Sequence, residues 1–424
     1  MTSRRFPTSA RRAAAATAMG ALLAAGALAA PAEAAGGLDR QALRRTLEAV
    51  HDAGMFGMYS EVRDGSRTWR GAAGVADVDT GRPVRPDLVH RIGSITKTFV
   101  SVAILQQAGR GAVELDAPVG RYLPDLVPGE RGQRITVRML LNHTSHIADY
   151  ILPAFPSLGE GSTRSLDDNR FRRFAPEDLA RMGLAAPPTG EPGAAPGSYS
   201  NTNYVLAGLL LEKVTGQDAE DYVTREVIRK AGLRHTSFPR TPHIPGPHSK
   251  AYESWYGFID PPRDYSVYDP SWASTAGAVT STMDDLNRFY RALLRGELVG
   301  PAQLAEMQKT VPVLAGGGRI EYGLGIYALD LPCGRFWGHD GGVFGMATQS
   351  LSSPDGARQI SFGVNRTKYQ TVDENGHLVP HAIDYAQVDH LLVALCGDAG
   401  AAAAKAATAP FLPFPADRGP LGGS

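Results

Sequence analysis

The sequence predicts an α/β (α+β) fold: an antiparallel sheet flanked by helices, with an inserted all-helical region beside it. Three observations predict it. Strand-like segments lie near both ends of the body, helix-like segments fill its middle, and Pro- and Gly-rich stretches punctuate that middle. The economical arrangement brings both ends into one sheet. Residues 38–114 and 271–397 then form a sheet-containing domain and residues 115–270 a mainly helical one, with a site at their junction.

The first 34 residues stand outside that body. Arg4, Arg5, Arg11 and Arg12 give a basic start, and Ala13 to Ala30 is apolar and uncharged. Ala32-Glu33-Ala34 is a small-x-small cleavage pattern. The expectation is a signal peptide, a mature chain starting near Ala35, and a protein that is secreted, extracellular or cell-wall associated. No later segment is long and apolar enough to span a bilayer.

Leu38 to Ala53 reads as an entry helix. Met55 to Arg63 and Arg67 to Val75 read as strands, joined by the hairpin signal Asp64-Gly65-Ser66. The run Thr98–Gln107 is apolar nearly all round, the pattern of a helix buried on every side, and Gly109 and Gly111 stop it. Leu286, Phe289, Tyr290, Leu293 and Leu294 make one apolar helix face, with Asp284 and Asp285 near its N-terminus. Further strands are expected at Gly323–Leu329, Gly334–Gly338, Phe344–Leu351 and Arg358–Val364. A final helix carries Val388, Leu391, Leu392 and Leu395 on one face and is expected to end at Cys396-Gly397. The tail, residues 398–424, is Ala/Pro/Gly-rich and is expected to be disordered or processed.

Charge is balanced, 43 basic against 43 acidic residues, and the body has no basic run, so nothing points to a nucleic-acid partner. No Cys/His cluster has metal-ligand spacing, and no metal or cofactor is expected. Cys333 and Cys396 are the two cysteines, and in an exported chain a bridge between them is favoured over two buried thiols.

Three short motifs carry the chemistry: Ser94-Ile95-Thr96-Lys97, Tyr199-Ser200-Asn201 and His339-Asp340-Gly341. Ser94 precedes the buried helix and Lys97 lies one turn on, so the two side chains share a face. A serine hydroxyl is a poor nucleophile until a base takes its proton, and a lysine can do so where burial lowers its pKa. The helix N-terminus adds donors where an oxyanion would form. A lysine leading into an apolar helix must be paired or at a cleft. Tyr199 is suited to shuttle protons beside Lys97, and Asn201 to orient Lys97 and hold a substrate carbonyl. A turn followed by a helix capped by Asn201 or Thr202 fits the same residues. His339 ends a strand and can donate to a ligand, while Gly341 and Gly342 let a ligand backbone approach. The alternative is an ordinary surface or core histidine.

S-x-x-K, then Y-x-N, then H-x-G resembles the signature of the penicillin-recognising serine hydrolases. The Y-S-N and H-x-G forms resemble the branch holding class C β-lactamases and secreted actinobacterial D-alanyl-D-alanine carboxypeptidases. VHRIGSITKTFVSVAILQ, ITVRMLLNHTS, PGSYSNTNYVLAGLLLEKVTG, SWASTAGAVTSTMDDLNRFY, YGLGIYALDLPCG and WGHDG carry the same likeness, which runs from Leu38 to Gly397. It implies a β-lactamase/DD-peptidase-like fold and a serine hydrolase that works through an acyl-enzyme. The simplest activity it implies is a carboxypeptidase on D-amino-acid peptides of the cell wall. Ser94 is then the nucleophile, Lys97 its buried partner, and Tyr199 the general base and later the acid. Asn201 binds the substrate amide. His339 replaces a third-motif lysine, completing the proton network and adding electrostatic attraction. The N–H groups of Ser94 and Gly342 form the oxyanion hole, Trp272 is an aromatic at the cleft edge, and Cys333 pairs with Cys396. The implied partners are peptides or small molecules, peptidoglycan stem peptides and β-lactams among them, for a monomer that binds no nucleic acid.

Two departures bear on substrate. The carboxypeptidase has threonine where this chain has Asp340, and arginine where this chain has Tyr327; those two groups bind the terminal carboxylate. An acid in place of a bidentate donor disfavours a carboxylate-ended substrate. Alternation along the strand leaves open whether Asp340 faces the cleft, and Arg319, Arg335 or Arg366 is a candidate replacement cation. His146 stands where relatives usually have glycine. Other readings of the same fold are an esterase, a D-amino-acid amidase or aminopeptidase, a class C-like β-lactamase, and a non-catalytic module that binds cell-wall peptides.

Overall fold

A computed structural model describes residues 37–315, 318–374 and 378–406. The expected signal peptide and residues 407–424 of the tail lie outside the described residues.

Asp39 caps the first helix, α1 (Arg40–Asp52), by accepting hydrogen bonds from the Gln41 and Ala42 N–H groups. Strands β1 (Gly57–Asp64) and β2 (Arg67–Asp77) pair antiparallel with Asp64 opposite Arg67, so Gly65-Ser66 is the two-residue turn. A short β3 (Arg82–Pro83) continues the edge. The remaining strands of the main sheet are β4 (Gly197–Ser198), β5 (Val311–Ala315), β6 (Gly318–Tyr322), β7 (Tyr327–Leu331), β8 (Gly334–Val343), β9 (Met346–Ser352) and β10 (Arg358–Val364). Their order is β3-β2-β1-β10-β9-β8-β7-β6-β5-β4. Chain ends therefore meet where β1 pairs with β10.

Two details correct the sequence reading. The sheet is not wholly antiparallel: β4, from the helix-rich middle, joins its edge parallel to β5. The strand expected from Gly323 begins only at Tyr327, because Gly325 at φ +79° turns the chain between β6 and β7. Strands β5 and β6 were not expected; Pro312 and the Gly316–Gly318 run are residues that strands disfavour.

Both sheet faces are covered. On one, α1 packs with α5 (Ala382–Ala406) through Leu43, Leu47, Leu391 and Ile360. The other face carries α2 (Thr96–Gly109), α3 (Asn201–Thr215) and α4 (Met283–Leu294). Phe99 of α2 stacks on Phe289 of α4 with ring centroids 3.8 Å apart. α2 is buried on nearly every side, as its sequence requires. The last helix does not stop at Cys396-Gly397: it breaks at Gly397, where φ is +58°, and resumes to Ala406. Cys333, in the β7–β8 turn, and Cys396 form a disulfide that ties α5 to the sheet.

Candidate active site

The three motifs converge. Ser94 sits in the tight turn Gly93–Ile95 that leads into α2, and Lys97 occupies the first turn of that helix. Lys97 is fully buried. Its Nζ donates to Ser94 Oγ at 2.9 Å, Asn201 Oδ1 at 2.7 Å and the Ala276 carbonyl at 2.9 Å. Three acceptors match the three N–H bonds of an ammonium group. Lys97 is thus the donor in its bond to Ser94 Oγ.

Tyr199 follows β4, and its N–H donates to the Leu314 carbonyl at 3.0 Å, which fixes the segment along β5. Lys97 Nζ lies 4.9 Å from the Tyr199 ring centroid. Asn201 begins α3, and its side chain faces Lys97 for a specific reason. Asp149 Oδ2 accepts from both the Asn201 backbone N–H and its Nδ2, each at 2.8 Å. With Nδ2 held there, Oδ1 is the atom left toward the lysine. Burial pushes the Asp149 carboxyl above its usual range, against hydrogen bonds from Asn201 and Ile151 and the charge of Lys97. Asp149 gave no signal in the sequence, because a loop acid two residues before Ile151 reads as a turn residue.

Gly93 and Gly341 let two backbones touch. A Cβ on Gly93, at φ +52°, would lie 2.7 Å from the Gly342 nitrogen. One on Gly341 would lie 1.9 Å from the Ile92 carbonyl oxygen and 2.8 Å from the Ser94 nitrogen. Only glycine fits either place, and the Ser94 and Gly342 amides are neighbours as a result.

His339 and Asp340 are adjacent on β8. His339 is 1 % exposed, and its Nε2 is 2.8 Å from the Tyr322 hydroxyl. Burial, then the positive charge of Lys97, push its pKa down to about 3. Burial thus favours the neutral imidazole, held between the Tyr322 hydroxyl and the Asp340 carbonyl. Asp340 pairs with Gln349, and its Oδ1 lies 3.5 Å from His339 Nδ1.

A cavity of about 850 Å³ opens over Ser94. Of the residues singled out in the sequence, Ser94, Tyr199, Asn201, Trp272, Asp340, Gly341 and Gly342 line it. Lys97 and His339 lie behind that surface. Tyr327 does not reach it, which corrects its expected place among substrate-binding residues: it is 2 % exposed, and its hydroxyl accepts from Gln349 Nε2 at 2.8 Å. Among the three candidate cations, Arg335 is paired with Asp330 and Arg319 with Glu321 away from the cavity, and Arg366 alone lines it. His146 bonds Thr189 Oγ1 at 3.1 Å and the Ala194 carbonyl at 3.0 Å, latching a loop whose Thr189 lines the cavity.

The Beta-lactamase family model matches residues 42–367. The chain belongs to the beta-lactamase family of serine hydrolases. A curated relative is penicillin-binding protein 4* of Bacillus subtilis (strain 168), 26 % identical over 348 residues, which are 78 % of this chain and 73 % of that protein. Esterase EstB of Burkholderia gladioli is 33 % identical over 212 residues. That match spans 47 % of this chain and only about half of the esterase, 53 %. Among solved structures, a D-stereospecific amidohydrolase from Streptomyces sp. superimposes with a TM-score of 0.72 at 35 % identity, covering 85 % of this chain and 99 % of that one. D-amino acid amidase from Ochrobactrum anthropi SV3 shares the fold at 23 % identity and a TM-score of 0.68, over 77 % of this chain and 91 % of that one.

Proposed function

We propose that this member of the beta-lactamase family is an acyl-enzyme hydrolase of D-amino-acid esters, amides and peptides whose leaving side carries no free carboxylate. One observation carries the reading. Asp340 lines the cavity at the motif position where the carboxypeptidase resemblance calls for a carboxylate-binding threonine, while Tyr327, at the position of the arginine, is buried away from it. A carboxylate ligand would meet repulsion where it needs a bidentate donor. The names of the relatives, an esterase and a D-stereospecific amidohydrolase, agree with that preference.

In this reading Ser94 Oγ attacks the carbonyl carbon and its proton passes to Tyr199, which acts as a phenolate beside the Lys97 ammonium, because Lys97 already donates to Ser94. Lys97 holds Ser94 and Asn201 in register. The Ser94 and Gly342 N–H groups stabilise the oxyanion. Tyr199 then returns the proton to the leaving oxygen or nitrogen, and a water or amine releases the acyl group from Ser94.

The test has two parts. A fluorophosphonate should label Ser94, located by peptide mass spectrometry, and D-amino-acid esters and amides should turn over faster than an acyl-D-Ala-D-Ala peptide. An unlabelled Ser94, or faster cleavage of the D-Ala-D-Ala peptide, overturns the reading. Export is part of the same proposal: N-terminal sequencing of protein from culture medium should begin near Ala35.

A further inference from the structure

One loop grips the Tyr199-Ser200-Asn201 motif from within the protein. Residues 142–150 carry Asp149, which holds Asn201, and they also carry His143. His143 is fully buried, at a backbone φ of +61° that most side chains avoid. Its carbonyl accepts from the Ser198 N–H at 3.0 Å, and its Nδ1 accepts from the Ser200 N–H at 3.2 Å. These two bonds bracket Tyr199. The His143 and Tyr199 rings lie with centroids 4.1 Å apart and planes tilted by 34°. Lys97 Nζ is 4.9 Å from the centroid of the same Tyr199 ring.

The hydrogen bonds also set the state of the imidazole. A backbone N–H aimed at Nδ1 needs a lone pair there, so the ring proton is on Nε2 and the ring is neutral. Asn203 Nδ2, in the first turn of α3, lies 3.1 Å from the same Nδ1. That amide is oriented by its other end, because Ser145 Oγ donates to Asn203 Oδ1 at 2.6 Å. The imidazole also meets Tyr322, at 4.8 Å between centroids, and the Tyr322 hydroxyl is 2.8 Å from His339 Nε2. His143 therefore touches the second motif directly and the third through one residue. An apolar side chain at this place would fill the core but leave the Ser200 N–H buried without its acceptor.

We propose that His143 is the positioning residue of the general base: its carbonyl and Nδ1 fix the backbone on both sides of Tyr199, and its ring sets the place of the phenol beside Lys97. The inference rests on the acyl-enzyme reading above and deepens it by naming what holds Tyr199. His143 has no exposed surface, so it acts through Tyr199 and not on substrate. Its removal is expected to slow the attack by Ser94 and to leave binding nearly as it was.

The experiment reads the rate of fluorophosphonate labelling of Ser94, together with kcat and KM for D-alanine methyl ester. Rates are referred to the final extent of labelling, which counts folded sites, so partial loss of folded enzyme cancels. His143→Ala removes the ring and the acceptor. It should slow labelling and lower kcat by about 10²-fold, with KM changed by about 3-fold or less. His143→Asn keeps an acceptor oxygen on Cγ and tolerates a positive φ, and should recover to within about 10-fold of wild type. A double-mutant cycle decides between positioning of Tyr199 and general support of the fold. In a Tyr199→Phe background no base is left to position, and His143→Ala should slow the residual labelling by about 2-fold or less. Three results each overturn the inference: His143→Ala within about 3-fold of wild type, His143→Asn no better than His143→Ala, or a loss in the Tyr199→Phe background as large as in wild type. Tyr199→Phe alone separates the two levels. Slow labelling of Tyr199→Phe with fast labelling of the His143 variants overturns this inference alone. Labelling of Tyr199→Phe at the wild-type rate, or no labelling of wild type at Ser94, overturns the reading with Tyr199 as base and this inference with it.

Discussion

Asp149 holds Asn201 through a single oxygen: its Oδ2 accepts from the Asn201 backbone N–H and from Asn201 Nδ2, both at 2.8 Å. An asparagine amide can turn over and exchange its oxygen for its nitrogen. Here the turned form would point N–H bonds at the Lys97 ammonium, two donors facing each other. Asp149 removes that choice by binding the nitrogen end. It is a positioning residue that acts on the site through Asn201.

The first prediction follows. Asp149→Ala should lower kcat for a D-amino-acid ester by about 10²-fold, the scale of a misplaced catalytic group, with a smaller change in KM. Because burial raises the Asp149 pKa, the ionised form is lost on acidification earlier than for an ordinary aspartate. The variant should therefore also show an altered acid limb in its kcat–pH profile. An unchanged kcat and an unchanged acid limb would show that Asn201 keeps its orientation without Asp149.

Lys97 is predicted to be indispensable as a donor. Its three bonds, to Ser94, Asn201 and Ala276, converge from the turn before α2, from α3 and from the segment before α4. Lys97→Met keeps much of the length and removes all three. Ester turnover should drop by about 10⁴-fold, in the range seen when one member of a catalytic unit is deleted. Lys97→Arg keeps a cation, but a planar guanidinium cannot reproduce three tetrahedral bonds in a closed site, and it should be nearly as inactive. Fluorophosphonate labelling rates read this directly, and labelling of Lys97→Met at the wild-type rate would contradict it.

Much of this site was legible in the sequence, and the illegible parts share a physical cause. Ser94 and Lys97 were readable because a lysine at the head of an all-apolar helix needs a partner, and i,i+3 spacing supplies the serine. Helix α4 was readable from one apolar stripe, and β10 was placed with its observed bounds, Arg358–Val364. Asp149, Tyr322 and His143 were not readable, since each matters only through contacts distant in sequence. Strands β5 and β6 were hidden by Pro312 and three consecutive glycines, where sheet pairing overrides local preference. Asp340 shows the limit most clearly. Its type was informative in the sequence, but its side depended on the register of β8 against β9, which pairs it with Gln349.

Register also decides which substitution probes the substrate preference. Tyr327 shares its strand face with Gly338 and Asp340 by pairing, but is closed off from the cavity. Tyr327→Arg would bury a guanidinium in a pocket shaped for a phenol, and should lower stability by several kcal/mol without creating a carboxylate site, on the order of a buried unpaired charge. Asp340→Thr is the informative change. It removes the negative charge from the cavity wall and supplies a hydroxyl donor. Cleavage of an acyl-D-Ala-D-Ala peptide should rise by about 10-fold relative to the matching amide, about 1.4 kcal/mol of relieved repulsion. Steady-state kinetics on the two substrates checks it, and an unchanged ratio would mean that Asp340 does not meet the leaving group.

Four buried histidines predict how stability depends on pH. His90 and His390, like His339, have pKa values pushed down to about 3 by burial, and His143 is held well below its ordinary range by burial and by the charge of Lys97. Each is fully or almost fully buried, so protonation would place a charge out of reach of water. An unfolded histidine titrates near 6.5. Between about pH 6.5 and 3 the unfolded chain therefore binds protons at these positions that the folded chain does not. The sign follows: stability is greatest above about pH 6.5 and falls as pH is lowered through that window, by up to about 1.4 kcal/mol per pH unit for each histidine. Urea unfolding at pH 7.5, 6.5 and 5.5 should show a midpoint that changes little over the first step and falls over the second. His390→Gln should make that fall shallower, because His390 bonds two hydroxyls, Ser60 Oγ at 3.0 Å and Thr46 Oγ1 at 2.9 Å, which an amide can also serve. A midpoint that rises on acidification would show that a charged histidine is accommodated in the fold.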